Sequence, residues 1–537
     1  MNKKVIDTLF FLIGFGMIFN KVPKLIQPPW IGGPLSDKIV FGPIIVGLVY
    51  SLYCQFKYKN VFVNFSIFKK FLASYSSLLF ISLIVGLYYY PYYGQILSGP
   101  YDQIAKSSEV LSFFNSIGIN IEKKSLLTIF MFLKPIKDLM LEILYTFCFS
   151  YMVYCWYHER WQVGLKILFV SILSSLAVIL VYSTVEVLYL GGNEYAKKVL
   201  AIITPYFHAI KNNPWWPPLF WPQKQLRSVF AEPSYFGIYI AFALPFLWYQ
   251  FVKYKKLAFC VLIAAITFLL FLTQTRTSFM LLAGQLFVFS LMVICFLRET
   301  IYFKRSIAIL VCTCFSFFGA VLFIDNCITP QTKTIKSTKQ IQQITKSTKQ
   351  FANHPVGPKK SMEAYVKNNA SSLVNINQRS NRARYSVMEA DLKIGVDNLI
   401  LGVGSGLRNA YIPDYLPKAA FKVSEVRMWL DFKKKLGTLK FNIPRLGEYT
   451  SRFAETGILG LCAFLYPALI LLINLLKNIK SRLPDDSVMY ILFLVSFIGV
   501  MASGIGDNIN ITHCYWVLLG LGYAICFGRK YEVIDNE

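Results

Sequence analysis

Apolar runs close to 20 residues long recur throughout this 537-residue chain, and short basic stretches separate most of them. They lie at 5–19, 39–54, 71–90, 139–157, 165–190, 234–252, 257–273, 278–297, 305–324, 454–476, 488–505 and 511–527. A helix crossing the hydrocarbon core of a bilayer needs about 20 mostly apolar residues. In lipid, backbone polar groups must be satisfied within the segment, which leaves helices for runs of this length. The expected fold is therefore an all-α polytopic membrane protein of about 12 transmembrane helices. Composition agrees: 55% of residues are hydrophobic and 15% charged, against about 25% charged in soluble domains. A soluble multidomain enzyme, a disordered chain and a secreted disulfide scaffold are all excluded.

Orientation follows from Lys and Arg in the short connections. With the N-terminus inside, nineteen basic residues fall on inner segments, among them Lys3, Lys69, Arg160, Lys253, Arg305 and Lys480; four fall on short outer ones, Lys21, Lys24, Lys38 and Arg276. Both termini are expected in the cytoplasm, and the start (MNKK, then Val5–Phe19) reads as an uncleaved first span. The chain divides into 1–324 (spans 1–9, with outer segments 91–138 and 191–233), a large extracytoplasmic loop at 325–453 between spans 9 and 10, and 454–537 (spans 10–12 and a cytoplasmic tail). Within the outer segments, 125–137 reads as a short surface-lying or re-entrant stretch. NPWWPPLFWP (213–222) reads as a Pro-broken aromatic segment at headgroup level.

The formal charge of +27 does not point to nucleic acid, because the basic residues sit between apolar runs. The large loop carries 21 Lys and Arg against nine Asp and Glu from Asp325 to Glu448. Long loops escape the positive-inside rule, so this excess fits an anionic substrate or anionic lipid. At 331–350 the sequence KSTKQ occurs twice, in a polar stretch expected to be a surface segment. Residues 382–396 carry apolar positions at helical spacing. The eleven Cys lie mostly in apolar runs without CxxC, so no metal site or disulfide framework is expected. His158, His208 and His513 read as structural.

Glu142, Glu186, Glu232, Arg276, Glu455 and Asp507 all fall at outer helix ends, and polar groups near the hydrocarbon usually line a cavity. Four motifs stand out. In RSVFAEPSYFG (227–237), Pro233 suits the first helical position and Glu232 the N-cap; Glu232 reads as a cap, a general base or an orienter of an arginine. In QTRTS (274–278), a minimal turn pins Arg276 near the membrane surface, where a guanidinium can bind phosphate bidentately. NRAR (381–384), with Arg382 and Arg384, precedes LGVGSG (401–406), whose backbone N–H groups could face an anion. RLGEYTSRFAETGILG (445–460) holds Arg445, Glu448 and Glu455, with Gly457 and Gly460 as expected helix-packing positions.

The ordered set of motifs, over roughly 220–470 of a twelve-span chain with a large outer loop, resembles the O-antigen polymerase and O-antigen ligase family of bacterial cell-envelope glycosyltransferases. That resemblance implies a GT-C-like membrane enzyme of the bacterial plasma membrane, acting at its outer face. It implies polymerisation of undecaprenyl-pyrophosphate-linked repeat units of O-antigen, capsule or exopolysaccharide. No cofactor or metal is implied; the partners are the lipid-linked glycan donor and acceptor, membrane lipids, and a chain-length regulator and flippase. By the same likeness, Arg227, Arg276 and Arg384 (or Arg382) bind the pyrophosphate. The ligase histidine upstream of the last motif has no counterpart in Arg445–Tyr449, which favours polymerase over ligase and leaves Glu232 and Glu448 as candidate bases. The only loop histidine is His354. A lipid-linked oligosaccharide flippase is the reading from another class, and it would need ionisable residues deep in several spans.

Overall fold

The computed structural model describes residues 1–27, 37–59, 61–63, 65–100, 103–104, 107–210, 217–221, 224–328, 379–481 and 483–528. Among these the regular structure is entirely helical; the single isolated bridge joins Asn20 to Lys38. Each of the twelve apolar intervals falls on helix. Among the described residues, seven helices are long and apolar enough to cross a membrane: Ser66–Tyr88, Trp161–Leu190, Pro233–Tyr254, Arg276–Phe296, Ile301–Ile328, Glu448–Ser481 and Asp486–Ser503. Leu257–Leu272 and Cys514–Phe527 are apolar but shorter. The protein is thus helical and built for a membrane. The KSTKQ repeat at 331–350, His354 and Asn213–Trp216 lie outside the described residues.

The chain forms two compact units that interleave along the sequence. The first comprises Met1–Cys54, Arg160–Val374 and Leu475–Val500; the second comprises Gln55–Glu159, Asn375–Asn474 and Met501–Glu537.

In the first unit, Lys3–Gly16 packs along Trp161–Leu190, and Pro233–Tyr254 packs against Leu257–Leu272 and Arg276–Phe296. Pro233–Tyr254 is apolar all round and buried on nearly every face, as expected of a central helix. Gly237 lets its neighbour approach: a Cβ there would lie 2.1 Å from Oγ of Ser278, so the two helix starts touch backbone to side chain. Gln285 ties the unit together, its amide donating to the carbonyls of Ala241 at 2.6 Å and Val495 at 3.1 Å.

In the second unit, Ser66–Tyr88 packs against Lys123–Leu144, and Cys514–Phe527 against Tyr145–Tyr151 and Met152–Tyr157. The stretch 125–137, expected as a short separate piece, is instead part of one uninterrupted helical path from Lys123 to Tyr157. Pro135 sits inside it, and Tyr145–Tyr151 is wound as π-helix. Its apolar face extends the pattern of 139–157, and no turn residue separates the two.

What the sequence presents as the distal part of a long loop, 379–453, is a folded helical body. Arg379–Asp397 presents Ala383, Val387, Ala390 and Ile394 at spacings of four, three and four. These meet Ile412 and Leu416 of the following helix and Val426 and Trp429 of Ser424–Leu436 in one apolar core. Asp391 and Arg408 are buried beside it and paired through Nε and Nη2, the latter at 2.9 Å, while Ser451 donates to Asp391 at 3.1 Å.

The central amides of the LGVGSG turn are taken up within the protein. Val403 N–H donates to the Ala454 carbonyl at 2.9 Å and Gly404 N–H to that of Glu455 at 3.0 Å. In return, Ile458 N–H donates to the Leu399 carbonyl at 2.8 Å. These bonds replace those lost where helix Glu448–Ser481 breaks at Gly457, whose φ is 63° and ψ −165°. Ser82 Oγ closes the junction on the carbonyls of Leu401 and Glu455 at 2.8 and 2.9 Å. Gly457 is therefore a break-point glycine rather than a helix-packing one. A Cβ there would lie 2.3 Å from the Ile400 carbonyl oxygen. Gly457→Ala should destabilise the protein by about 2 kcal/mol or more, because positive φ and the clash add. A melting temperature in detergent equal to that of the parent would mean that the helix runs straight here.

Candidate functional site

The four motifs pair off, two in each unit. In the first unit, the chain before Pro233–Tyr254 runs beside the turn before Arg276–Phe296. Leu226 N–H donates to the Leu272 carbonyl at 3.1 Å, and the Gln225 amide to that of Gln274 at 3.3 Å. Gln274 takes positive φ (50°), and Thr275 caps the new helix by accepting from Ser278 N–H at 3.3 Å. Arg276 then occupies the first helical position, half-buried. The hydroxyls of Thr273, Thr275 and Ser278 interlock at 2.5–3.2 Å, so these neighbours hold the turn. Glu232 holds the N-cap position ahead of Pro233 but makes no capping bond; its carboxylate accepts from Ser234 Oγ at 3.3 Å. It is half-buried.

Arg227 lies deeper, at 2% exposure. Glu186 fixes this segment by accepting the backbone N–H of Arg227 at 3.2 Å and of Ser228 at 2.7 Å. The Arg227 guanidinium donates to the Leu219 carbonyl at 3.0 Å. His208 is fully buried, and burial together with the charge of Arg227 holds its pKa well below the ordinary value. It is neutral at physiological pH. As described, Arg227 is a buried organiser of the 219–232 segment.

In the second unit, Arg452 sits at the centre of a buried ion cluster at 4% exposure. Its guanidinium lies 2.7 Å from Glu142 and 2.5 Å from Glu448, and it donates to the Tyr75 hydroxyl. Tyr75 in turn donates to Glu142 at 3.2 Å. The ring of Phe464 lies 3.8 Å from the guanidinium carbon. Around this core, Ile509 N–H donates to Glu448 at 3.2 Å, and Trp516 Nε1 orients Asn510 at 2.6 Å next to Glu142. Beside it, Arg445 grips both oxygens of Glu455 at 2.7 and 2.8 Å, with its side chain 28% exposed. Arg384 binds the Gly506 carbonyl and lies 3.9 Å from Asp507, whose pKa is raised by burial and pulled back by Arg384. Arg382 is exposed on the first turns of Arg379–Asp397. Glu448 and Glu455, seven apart, share one helical stretch, as their spacing predicts, but each has its own arginine.

Three carboxylates and two guanidiniums thus meet in one protein-lined place, with Arg384 and Asp507 at its margin. Tyr75, Asn510 and the central role of Arg452 escape sequence reasoning. The i,i+4 spacing of Glu448 and Arg452 is a signal for that pair, whereas Tyr75 and Asn510 lie in distant stretches without a motif. Among the described residues, no three His, Cys, Asp or Glu side chains are grouped to hold a metal ion. No known family model matches the chain, and no curated protein matches it either.

A second basic group lies outside the motifs. Lys433 of Ser424–Leu436 is buried at 7% exposure, and its ammonium donates to the carbonyls of Asn409 at 2.6 Å and Ala410 at 3.3 Å. Burial pushes its pKa down from 10.5 to about 8, with Asp414 opposing and Lys134 assisting. For a base with a depressed folded-state pKa, the penalty is complete below the folded value and disappears as pH rises to the unfolded value. Relative to Lys433→Met, the parent should therefore gain about 2 kcal/mol between pH 7 and pH 10. Parallel pH–stability curves for the two proteins would show that Lys433 titrates normally.

Proposed function

We propose that this protein polymerises undecaprenyl-pyrophosphate-linked oligosaccharide repeat units at the outer face of the bacterial plasma membrane. The observation that carries this reading is the pairing of the motifs: Glu232 with the Arg276 turn in one unit, and the Arg445–Glu455 and Arg452 cluster with the LGVGSG turn in the other. Motifs that are far apart in sequence but adjacent at helix ends are what a one-sided membrane active site needs. The topology that goes with it has twelve spans, both termini in the cytoplasm, and the 379–453 body outside.

In the reaction, an acceptor hydroxyl oxygen attacks the anomeric carbon of the donor glycan and the bond to pyrophosphate breaks. The departing pyrophosphate gains negative charge, which arginines stabilise. Arg276 in its turn is the candidate of the first unit, and Arg382, Arg384 and Arg445 are candidates among the solvent-reaching arginines of the second unit. The attacking hydroxyl must lose its proton. Of the two candidate carboxylates, Glu448 is fully buried and held by Arg452, whereas Glu232 is only half-buried. Glu232 is therefore assigned as the base and Glu448 as a structural anion. Donor and acceptor are both lipid-linked glycans, and a chain-length regulator and flippase are its partners.

The test uses purified protein in detergent with a synthetic undecaprenyl-pyrophosphate repeat unit, without nucleotide sugar and with EDTA. A ladder spaced by one repeat unit is the expected result. Transfer only after a different acceptor is added would make the protein a ligase. No transfer with the cognate unit would return it to the transporters.

A further inference from the structure

The run YYYPYYG at 88–94 enters none of the motifs above. It lies in the second unit at the end of Ser66–Tyr88 and meets the helix Arg408–Tyr415. The rings of Tyr92 and Tyr411 are 4.8 Å apart and edge to face, Tyr90 and Tyr93 are 5.2 Å apart, and Tyr90 and Tyr411 are 6.0 Å apart. The Tyr92 hydroxyl donates to the exposed carboxylate of Asp414 at 2.6 Å. Next to this platform is a cavity of about 390 Å³ whose walls include Gln95, Gln103, Pro413, Lys433, Lys434 and Thr438. That is within the roughly 300–1,000 Å³ of small-molecule sites. Pro413 joins the platform to the cavity, being the neighbour of Asp414.

We infer that this platform and cavity form a glycan-binding subsite selective for an acidic sugar such as a uronate. A sugar ring has apolar C–H faces and a rim of hydroxyls. Tyrosine rings cover the former, and a carboxylate with spare acceptor capacity and the exposed amide of Gln95 bind the latter. The charge preference comes from the lysines. Lys433 keeps a buried ammonium at the cavity wall, bonded to backbone carbonyls and only partly offset by the charge of Asp414, and Lys434 adds an exposed one. A buried cation whose desolvation is only partly offset is costly, and an anionic ligand would relieve that cost. A patch serving only as an interfacial tyrosine belt would need neither the cavity nor the buried lysine. The subsite rests on the polymerase reading for its role, as the place where the acceptor chain lies, but not for its binding.

The test is binding of full-length protein in detergent to an immobilised panel of uronate-containing tetrasaccharides, each beside its carboxyl-reduced neutral counterpart. At least one acidic member should bind ten-fold or more tighter than its neutral counterpart. Tyr92→Ala and Lys433→Met should each weaken it ten-fold or more, with melting temperatures within a few degrees of the parent. Should Lys433→Met fail to fold, Lys434→Ala on the cavity rim serves instead, with a loss of several-fold. No acidic member bound, equal binding of the neutral set, or binding indifferent to the variants would each overturn the inference. So would a Tyr92→Ala effect confined to insertion into vesicles of anionic phospholipid, which would make the platform a membrane contact. Glycan binding without chain growth would sink the polymerase reading and leave the subsite standing. Chain growth unchanged in both variants would do the reverse.

Discussion

Replacing Arg452 by alanine should cost about 3–5 kcal/mol, because it leaves Glu142 and Glu448 as uncompensated charges away from water. Both carboxylates are nearly inaccessible, and the remaining donors, Tyr75, Asn510 and the Ile509 amide, cannot neutralise two negative charges. The guanidinium also loses its contact with the Phe464 ring. The triple replacement Glu142→Gln, Glu448→Gln and Arg452→Met should recover most of the loss, since a buried ion pair roughly breaks even against neutral groups of similar volume. Thermal unfolding in detergent decides it. An Arg452→Ala variant that melts within two degrees of the parent would show that this cluster is hydrated and open.

The second large effect concerns activity. Arg276→Ala should abolish chain growth, a loss of at least about 100-fold, the scale for one donor to a developing negative charge. Membrane insertion should stay intact, because the hydroxyls of Thr273, Thr275 and Ser278 hold the turn. Arg276→Lys should remain poor if the guanidinium grips two phosphate oxygens. A fully active lysine variant would mean that a point charge suffices, and normal product from the alanine variant would remove Arg276 from the reaction.

The helices themselves were legible because the bilayer imposes one length and one chemistry on every span, so apolar runs translate directly into helix. Segment ends were less so. Nothing in 125–139 marks where an amphipathic helix hands over to an apolar one, and the two are continuous. The folded body at 379–453 was half-visible: the spacing of Val387, Ala390 and Ile394 announced a helix, but the partners that bury it lie 20–60 residues on. In the candidate site, charged residues could be picked out one by one by their positions near helix ends. Their partners could not, since Glu142, Tyr75 and Arg452 come from three distant stretches that only tertiary packing joins. The glycine turn misled for a local reason. A glycine pattern that suits an anion cradle also suits a helix break, and here the carbonyls ahead of Gly457 take the amides of Val403 and Gly404.

That exchange of hydrogen bonds also sets an order of events during synthesis. The 399–404 turn leaves the ribosome more than fifty residues before Gly457, yet its Val403 and Gly404 amides find their acceptors only on the later helix. Until that helix is in place, the 379–453 body can form most of its apolar core but cannot dock. Once docked, the amides of Val403, Gly404 and Ile458 are released only by a shared opening. Hydrogen–deuterium exchange should therefore show them slow and in step, with Ser82→Ala accelerating all three together.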